Sequence, residues 1–225
     1  MKSNIILCRL CTTSVLPFCS YQGREYHRCT ECGLIQLKQA QCPSPKQELE
    51  EYQLHRNDPF DKGYRKFLSK VTNPMLEWLS HSSSNATTIL DFGSGPGPTI
   101  AVVLAEQGWP VTNYDPFFAP KQDVLLERYD LISCTEVVEH FHDPKTSWEI
   151  LLSLRKPQGH LVVMTQPSDR YYSESTFREW RYIREKSHIA FYHSQTMVWI
   201  ANTYGLQLSI LSPSVFWFSA NEKLV

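Results

Sequence analysis

Ile89-Leu90-Asp91-Phe92-Gly93-Ser94-Gly95-Pro96-Gly97-Pro98 is the stretch that decides the fold. A short β-rich run over residues 87–91 ends in three glycines at alternate positions, and an apolar helical stretch over 98–107 follows, stopped by Gly108. Glycine accepts positive φ and lets a ligand approach the backbone closely. In a parallel sheet such a loop lies at the carboxyl ends of the strands, where ligands bind. A tight strand-to-helix turn with no ligand is the alternative, but a turn alone does not require three glycines. Working outward, further strands are expected at 111–114, 129–134 and 160–165, with helices over 144–154 and 194–204. Residues 206–212 and 215–219 read as a closing antiparallel pair. Apolar strands separated by helices imply an α/β fold with a mostly parallel sheet covered on both faces and an antiparallel last strand.

Composition narrows the class. The chain has 225 residues, 22 Lys+Arg against 23 Asp+Glu, and a net charge of -1. That balance disfavours a protein that holds nucleic acid by charge alone. No apolar run is long enough to span a membrane, and residues 1–9 lack a secretory core, so a cytoplasmic, reducing setting is expected. Three zones differ in texture: 1–42, with six of the seven cysteines; 43–85, polar and helical with breakers at Pro43, Pro45, Pro59 and Pro74; and 86–225, which carries the strand–helix pattern.

An odd cysteine count argues against a complete disulfide framework. Cys8-Arg9-Leu10-Cys11 and Cys29-Thr30-Glu31-Cys32 lie 17 residues apart, a zinc-ribbon spacing. Two such knuckles close a tetrahedral site with no open position, so Cys8, Cys11, Cys29 and Cys32 are expected to hold structural Zn2+ rather than a catalytic ion. The competing explanation is four reduced packing cysteines. Cys19, Cys42 and His27 are bystanders in either case.

The loop reads Gly-x-Gly-x-Gly, not the Gly-x-Gly-x-x-Gly of dinucleotide sites. Asp115 ends the next strand, where a carboxylate can accept two hydrogen bonds from a ribose diol. With 90–97, Asp115, the run Tyr129-Asp130-Leu131-Ile132-Ser133-Cys134-Thr135-Glu136-Val137-Val138-Glu139-His140-Phe141 and residues 154–161, the chain resembles the class I S-adenosylmethionine-dependent methyltransferases over roughly 86–212. The resemblance implies that Gly93, Gly95 and Gly97 approach the methionine part of the cofactor and Asp115 its ribose. It implies that Cys134 and Thr135 border the sulfonium, with Asp91, Ser94, Pro116 and Glu136 completing the set. The paired knuckles, residues 51–58 and Gly63-Tyr64-Arg65 are similar to a bacterial methyltransferase family with this combined layout. One departure stands out: only residues 116–129 separate Asp115 from Asp130, where the family fits a helix, a strand and another helix. The sheet is therefore expected to lack an edge strand, and Asp123 is the candidate for the adenine-contacting acid.

Glu136, Glu139 and His140 share one face if 136–140 opens a helix. His140 then suits a general base oriented by Glu136. The run His188-Ile189-Ala190-Phe191-Tyr192 brings His188 and Tyr192 as further catalytic candidates. Alternatively, Glu136, Glu139, His140 and His188 resemble the metal-binding set of the small-RNA 2′-O-methyltransferases, which would place a divalent ion on ribose hydroxyls and lower their pKa. A merely structural cluster is the third reading. Residues 167–193 hold seven aromatics and read as a substrate-covering insertion, with Trp180 or Tyr182 on the pocket and about half the rings in core. Residues 52–68 are expected to close over the cofactor through Asn57, Tyr64 and Arg65. Together these features predict an S-adenosylmethionine-dependent methyltransferase with a small-molecule acceptor, RNA being the alternative. A non-enzymatic adaptor and a nicotinamide dehydrogenase fit the intact glycine loop less well.

Overall fold

The computed structural model describes residues 5–54, 57–82 and 86–221. Residues 1–4 of the amino-terminal reading, His55 and Arg56 of the 51–58 run, and residues 83–85 lie outside the described residues. Leu90 and Ile132 are wholly buried neighbours on parallel strands, which is why these runs read as continuous apolar stretches rather than alternating ones. They belong to β4 (Ile89–Phe92) and β6 (Tyr129–Thr135). With β5 (Thr112–Tyr114), β7 (Arg155–Met164), β9 (Leu206–Ser212) and β10 (Val215–Ala220) they form a six-stranded sheet in the order β5-β4-β6-β7-β10-β9. The first four strands are mutually parallel, and β10 runs antiparallel to both β7 and β9. This is the α/β Rossmann-like arrangement expected. β5 forms one edge, and a single 3₁₀ turn at Gln122–Leu126 fills the short connection before β6.

Helix α2 (Lys62–Ser80) begins where Asp61 accepts the Tyr64 N–H at 2.6 Å. It buries Leu68, Val71, Met75 and Leu79, at helical spacing, against Ile89, Ile100 and Leu131. Pro74 lies inside this helix and does not break it, contrary to the sequence reading; the apolar stripe on either side of the proline outweighs the lost hydrogen bond. Helices α3 (Thr99–Ala105), α4 (Pro144–Ser153) and α6 (Ser194–Thr203) complete the layers. Among the described residues no helix is long and apolar enough to cross a membrane.

A second sheet, β1-β2-β3-β8, is antiparallel throughout. Its first three strands, β1 (Val15–Tyr21), β2 (Arg24–Cys29) and β3 (Ile35–Leu37), come from the amino-terminal zone, with a hairpin turn at Gln22 and Gly23 in which both φ are positive. Its fourth, β8 (Ala190–Phe191), comes from the aromatic insertion. Tyr26, Ile35 and Leu37 share one core with Phe177, Trp180, Ile183 and Phe191. Cys8, Cys29 and Cys32 pack into the main core with Trp148 and Phe216. The amino-terminal zone and the insertion thus complete each other: each is too small to bury its own apolar face.

Candidate active site

The glycine loop opens on a cavity of about 940 Å³. Gly93 has φ +78 and Gly95 φ +64, so both occupy backbone conformations that side chains resist. A Cβ on Gly93 would lie 2.3 Å from Val137 Cγ2. A Cβ on Gly97 would lie 1.6 Å from the Asn57 carbonyl oxygen, so close approach of chain to chain, not of ligand to chain, requires this glycine. Asp115 accepts the Gly95 N–H on Oδ2 at 2.9 Å and the Phe117 and Phe118 N–H groups on Oδ1 at 2.8 and 3.0 Å. Its carboxylate ties the loop after β4 to the turn after β5, and it borders the cavity. Asp91 is buried one layer deeper, where it accepts the Ser133 hydroxyl at 2.7 Å; burial pushes its carboxyl up to about 6.

At the opposite end lie two histidines and two glutamates. Val138–His140 is one 3₁₀ turn, not the start of an α-helix, and Glu136 precedes it with φ +52. The expected shared helical face therefore does not form, yet the side chains still meet. The Tyr182 hydroxyl donates to Glu139 Oε1 and lies 3.2 Å from Glu136 Oε2, while Thr165 Oγ1 donates to Glu139 Oε2 at 3.0 Å. Burial, then the neighbouring Glu139 charge, pushes Glu136 well above the carboxylate range; burial lifts Glu139 to about 7 against these hydrogen bonds. His140 donates Nδ1–H to the Ser187 carbonyl at 3.0 Å, and His188 donates Nδ1–H to the Tyr182 carbonyl at 2.7 Å. In a neutral imidazole these bonds leave the lone pair on Nε2, and His188 Nε2 stands 3.8 Å from Glu185 Oε2. The rings stand 4.8 Å apart, with Tyr52 edge-on to His140.

Of the residues singled out in the sequence, Gly93, Ser94, Gly95, Asp115, Pro116, Thr135, Glu136, His140 and His188 line the cavity, as do Asn57 and Tyr64. Asp91 and Gly97 border a small adjoining hollow. Cys134 and Tyr192 do not reach the cavity. Cys134 is wholly buried in the main core, and the buried Tyr192 hydroxyl accepts from Trp148 Nε1 and donates to the Val138 carbonyl. Arg65 pairs with Glu106, and Trp180 stacks on Tyr171 in the insertion core. Asp123 is not on the cavity; Phe117, Phe118 and Leu125 line the wall there instead. Sequence reasoning missed Glu48 and Tyr52 of α1 (Pro45–Tyr52), and also His142 and Glu185. Glu48 is buried and accepts from His142 Nε2 at 2.9 Å. A helix carrying a capping box from Ser44 and Gln47 was the available signal.

The four knuckle cysteines converge. Cys8 and Cys32 Sγ are 3.6 Å apart, Cys11 and Cys29 Sγ 3.3 Å, and all four sulfurs lie within 4.8 Å of one another. Disulfides need ~2.05 Å, whereas a tetrahedral ion with ~2.3 Å bonds spaces its sulfurs near 3.8 Å, so the donor set fits a metal. The hydrogen bond between Cys8 and Cys32 pushes the Cys8 thiol down and the Cys32 thiol up.

A family model described as "Methyltransferase domain" matches residues 55–209, more than half of the chain. The ubiquinone biosynthesis O-methyltransferase of Histophilus somni is 26% identical over 165 residues, 60% of this chain and 66% of that protein. Its counterpart in Photorhabdus laumondii is 31% identical over 78 residues, 35% of this chain and 32% of that protein. The chain thus spans a third to two thirds of the length of these relatives. A solved O-methyltransferase family protein from Burkholderia thailandensis superposes with TM-score 0.49 at 12% identity, covering 78% of this chain and 70% of that one. The chain belongs to the methyltransferase-domain family, the S-adenosylmethionine-dependent class to which the glycine loop pointed.

Proposed function

We propose that the protein transfers a methyl group from S-adenosylmethionine to an oxygen of a small-molecule acceptor. The observation that carries this reading is one continuous cavity with the glycine loop and Asp115 at one end and His140 and His188 at the other. When bound, S-adenosylmethionine supplies an electrophilic methyl group. Gly93, Gly95, Asp115 and Asn57 would hold it, with Phe117 and Phe118 as apolar wall. His140, fixed as the Nε2 lone-pair tautomer by Ser187, would take the acceptor's hydroxyl proton as general base. Tyr52 and Tyr182 exclude water from that proton's path, and positioning with desolvation accounts for most of the rate. The names of the curated relatives favour oxygen as the accepting atom. Calorimetry with S-adenosylhomocysteine tests the reading. Binding at micromolar concentration, abolished by Gly95→Val, is the expected result, and no binding at high micromolar concentration overturns it.

We also infer that Cys8, Cys11, Cys29 and Cys32 hold structural Zn2+, since a four-thiolate site leaves no position for substrate. Metal analysis of the purified protein should return one zinc per chain. A second reading has its own support: ligand atoms of Glu139, His140 and His188 lie within 4.8 Å of one another, close enough for one divalent ion and a 2′-O-methylation of RNA. Glu48, Asp143 and Glu185, which also line the cavity, would repel a phosphate backbone, which favours the small acceptor. Mn2+-stimulated methylation of RNA, lost in Glu139→Ala, would decide for the second reading.

A further inference from the structure

The histidine end of the cavity is built on a loop that holds few hydrogen bonds of its own. After a short helix over Glu174–Glu179, residues 181–189 form a 3₁₀ turn (Arg181–Arg184) and then an irregular stretch ending at β8. Backbone carbonyls in such a stretch need donors from elsewhere. Arg24, the first residue of β2 in the amino-terminal sheet, supplies them. Its Nη1 donates to the Ile183 carbonyl at 3.2 Å and the Glu185 carbonyl at 3.3 Å, and its Nη2 to the Lys186 carbonyl at 3.2 Å and the His188 carbonyl at 2.8 Å. One guanidinium thus gathers four carbonyls of the loop that presents His188. Arg9, inside the first cysteine knuckle, acts alongside it: its guanidinium donates to the His142 carbonyl at 2.9 Å and the Ile189 carbonyl at 2.7 Å. The planar five-donor fork of arginine suits several carbonyls at once, and a lysine ammonium cannot reproduce it.

We propose that Arg24 is a positioning residue for the active site, fixing the 183–188 backbone so that His188 keeps its Nδ1–H bond to Tyr182, its Nε2 beside Glu185 and its place on the cavity wall, with Arg9 as its companion from the cysteine knuckle. The inference rests on the reading of this cavity as the methyl-transfer site. It also gives the amino-terminal module a role beyond its own stability: it holds the acceptor end from behind. Arg24 lies 5.5 Å from the Tyr26 ring centroid, so Arg24→Lys retains a cation near that ring and loses only the fork.

Long-range 1H–15N imidazole spectra of the full chain read the tautomer of each histidine directly. In the unaltered protein His188 should give one sharp Nδ1–H pattern. In Arg24→Lys and Arg24→Gln that pattern should broaden or split into two tautomers, while S-adenosylhomocysteine affinity stays within about twofold, as its site lies on the other wall. Arg178→Gln, which removes an exposed pair with Glu174, should leave the His188 pattern unchanged. A single unaltered Nδ1–H pattern in both Arg24 variants overturns the proposal. Loss of the cooperative unfolding transition in both variants overturns it as well, since Arg24 would then serve the fold and not the loop. If S-adenosylhomocysteine binds no form, the methyltransferase reading fails while the spectra still decide the role of Arg24.

Discussion

The two ends of the cavity are made in different ways. The cofactor end is mostly local: β4, its glycine loop and the turn after β5 follow one another closely, with Asn57 brought in from the stretch before α2, and backbone geometry does most of the shaping. The acceptor end is assembled from four separate segments, α1, the 136–143 turn, the 182–188 loop and, behind them, the amino-terminal sheet. A local site is specified by main-chain conformation, whereas an assembled one is specified by packing between distant elements. The first should fail by single-residue strain, the second by loss of its support.

The largest expected effect tests that support. If the four cysteines hold zinc as proposed, Cys29→Ser should remove it and cost up to about 10 kcal/mol, the scale of structural zinc binding, so that metal analysis falls to zero and thermal unfolding loses its cooperative transition. If the variant keeps its zinc and its melting curve, the supporting role of the knuckles is wrong. Next, Phe177→Ala strikes the core shared by insertion and amino-terminal sheet, where its ring meets Phe18, Tyr26 and Phe191 edge-on. A loss of about 3–5 kcal/mol in denaturant unfolding is expected. A value under 1 kcal/mol would mean that the two parts do not depend on each other.

At the local end, Gly93→Ala meets both a positive φ and the Val137 side chain, so about 1–3 kcal/mol of strain should appear as weaker S-adenosylhomocysteine binding by calorimetry. Unchanged affinity would show that the loop is not shaped as described. Asp91 gives the cofactor end a pH dependence of its own, beside that of Glu139 at the other end. Its folded-state pKa, near 6, exceeds the ordinary 3.8, so the folded chain holds the proton more tightly. Stability contributed by this group is complete below about pH 4 and is lost as pH rises through about 6, of the order of 2 kcal/mol. Asp91→Asn should flatten that part of a melting-temperature profile, and a profile with the same slope in both proteins would count against it. An effect of similar size is expected for Tyr182→Phe. It strips a hydroxyl from two carboxyls and Thr165 and should cost about 1–3 kcal/mol, with S-adenosylhomocysteine affinity unchanged.

This contrast also explains what could be read from the chain. The glycine loop, Asp115, the parallel strands and the closing antiparallel pair were legible because each is a local pattern of glycine, β-branched residues and breakers. The four cysteines were legible because ligand spacing is a local pattern too. Glu48 and Tyr52 were not, since nothing in a short polar helix says which distant turn it will cover. Tyr192 was misplaced for the same reason: its hydroxyl is engaged by Trp148 and Val138, contacts that only the packed core defines. The helical spacing of Glu136, Glu139 and His140 suggested the right neighbours through the wrong geometry, because a left-handed residue at Glu136 re-aims the segment before the turn begins.

Asn57 and Gly97 are keyed to each other like a tenon and its socket, the carbonyl of one filling the only spot where the other could carry a side chain. A library that varies position 97 alone will therefore return glycine under any selection for a folded chain. Diversity there becomes reachable only when the stretch leading into the long helix is redrawn in the same step.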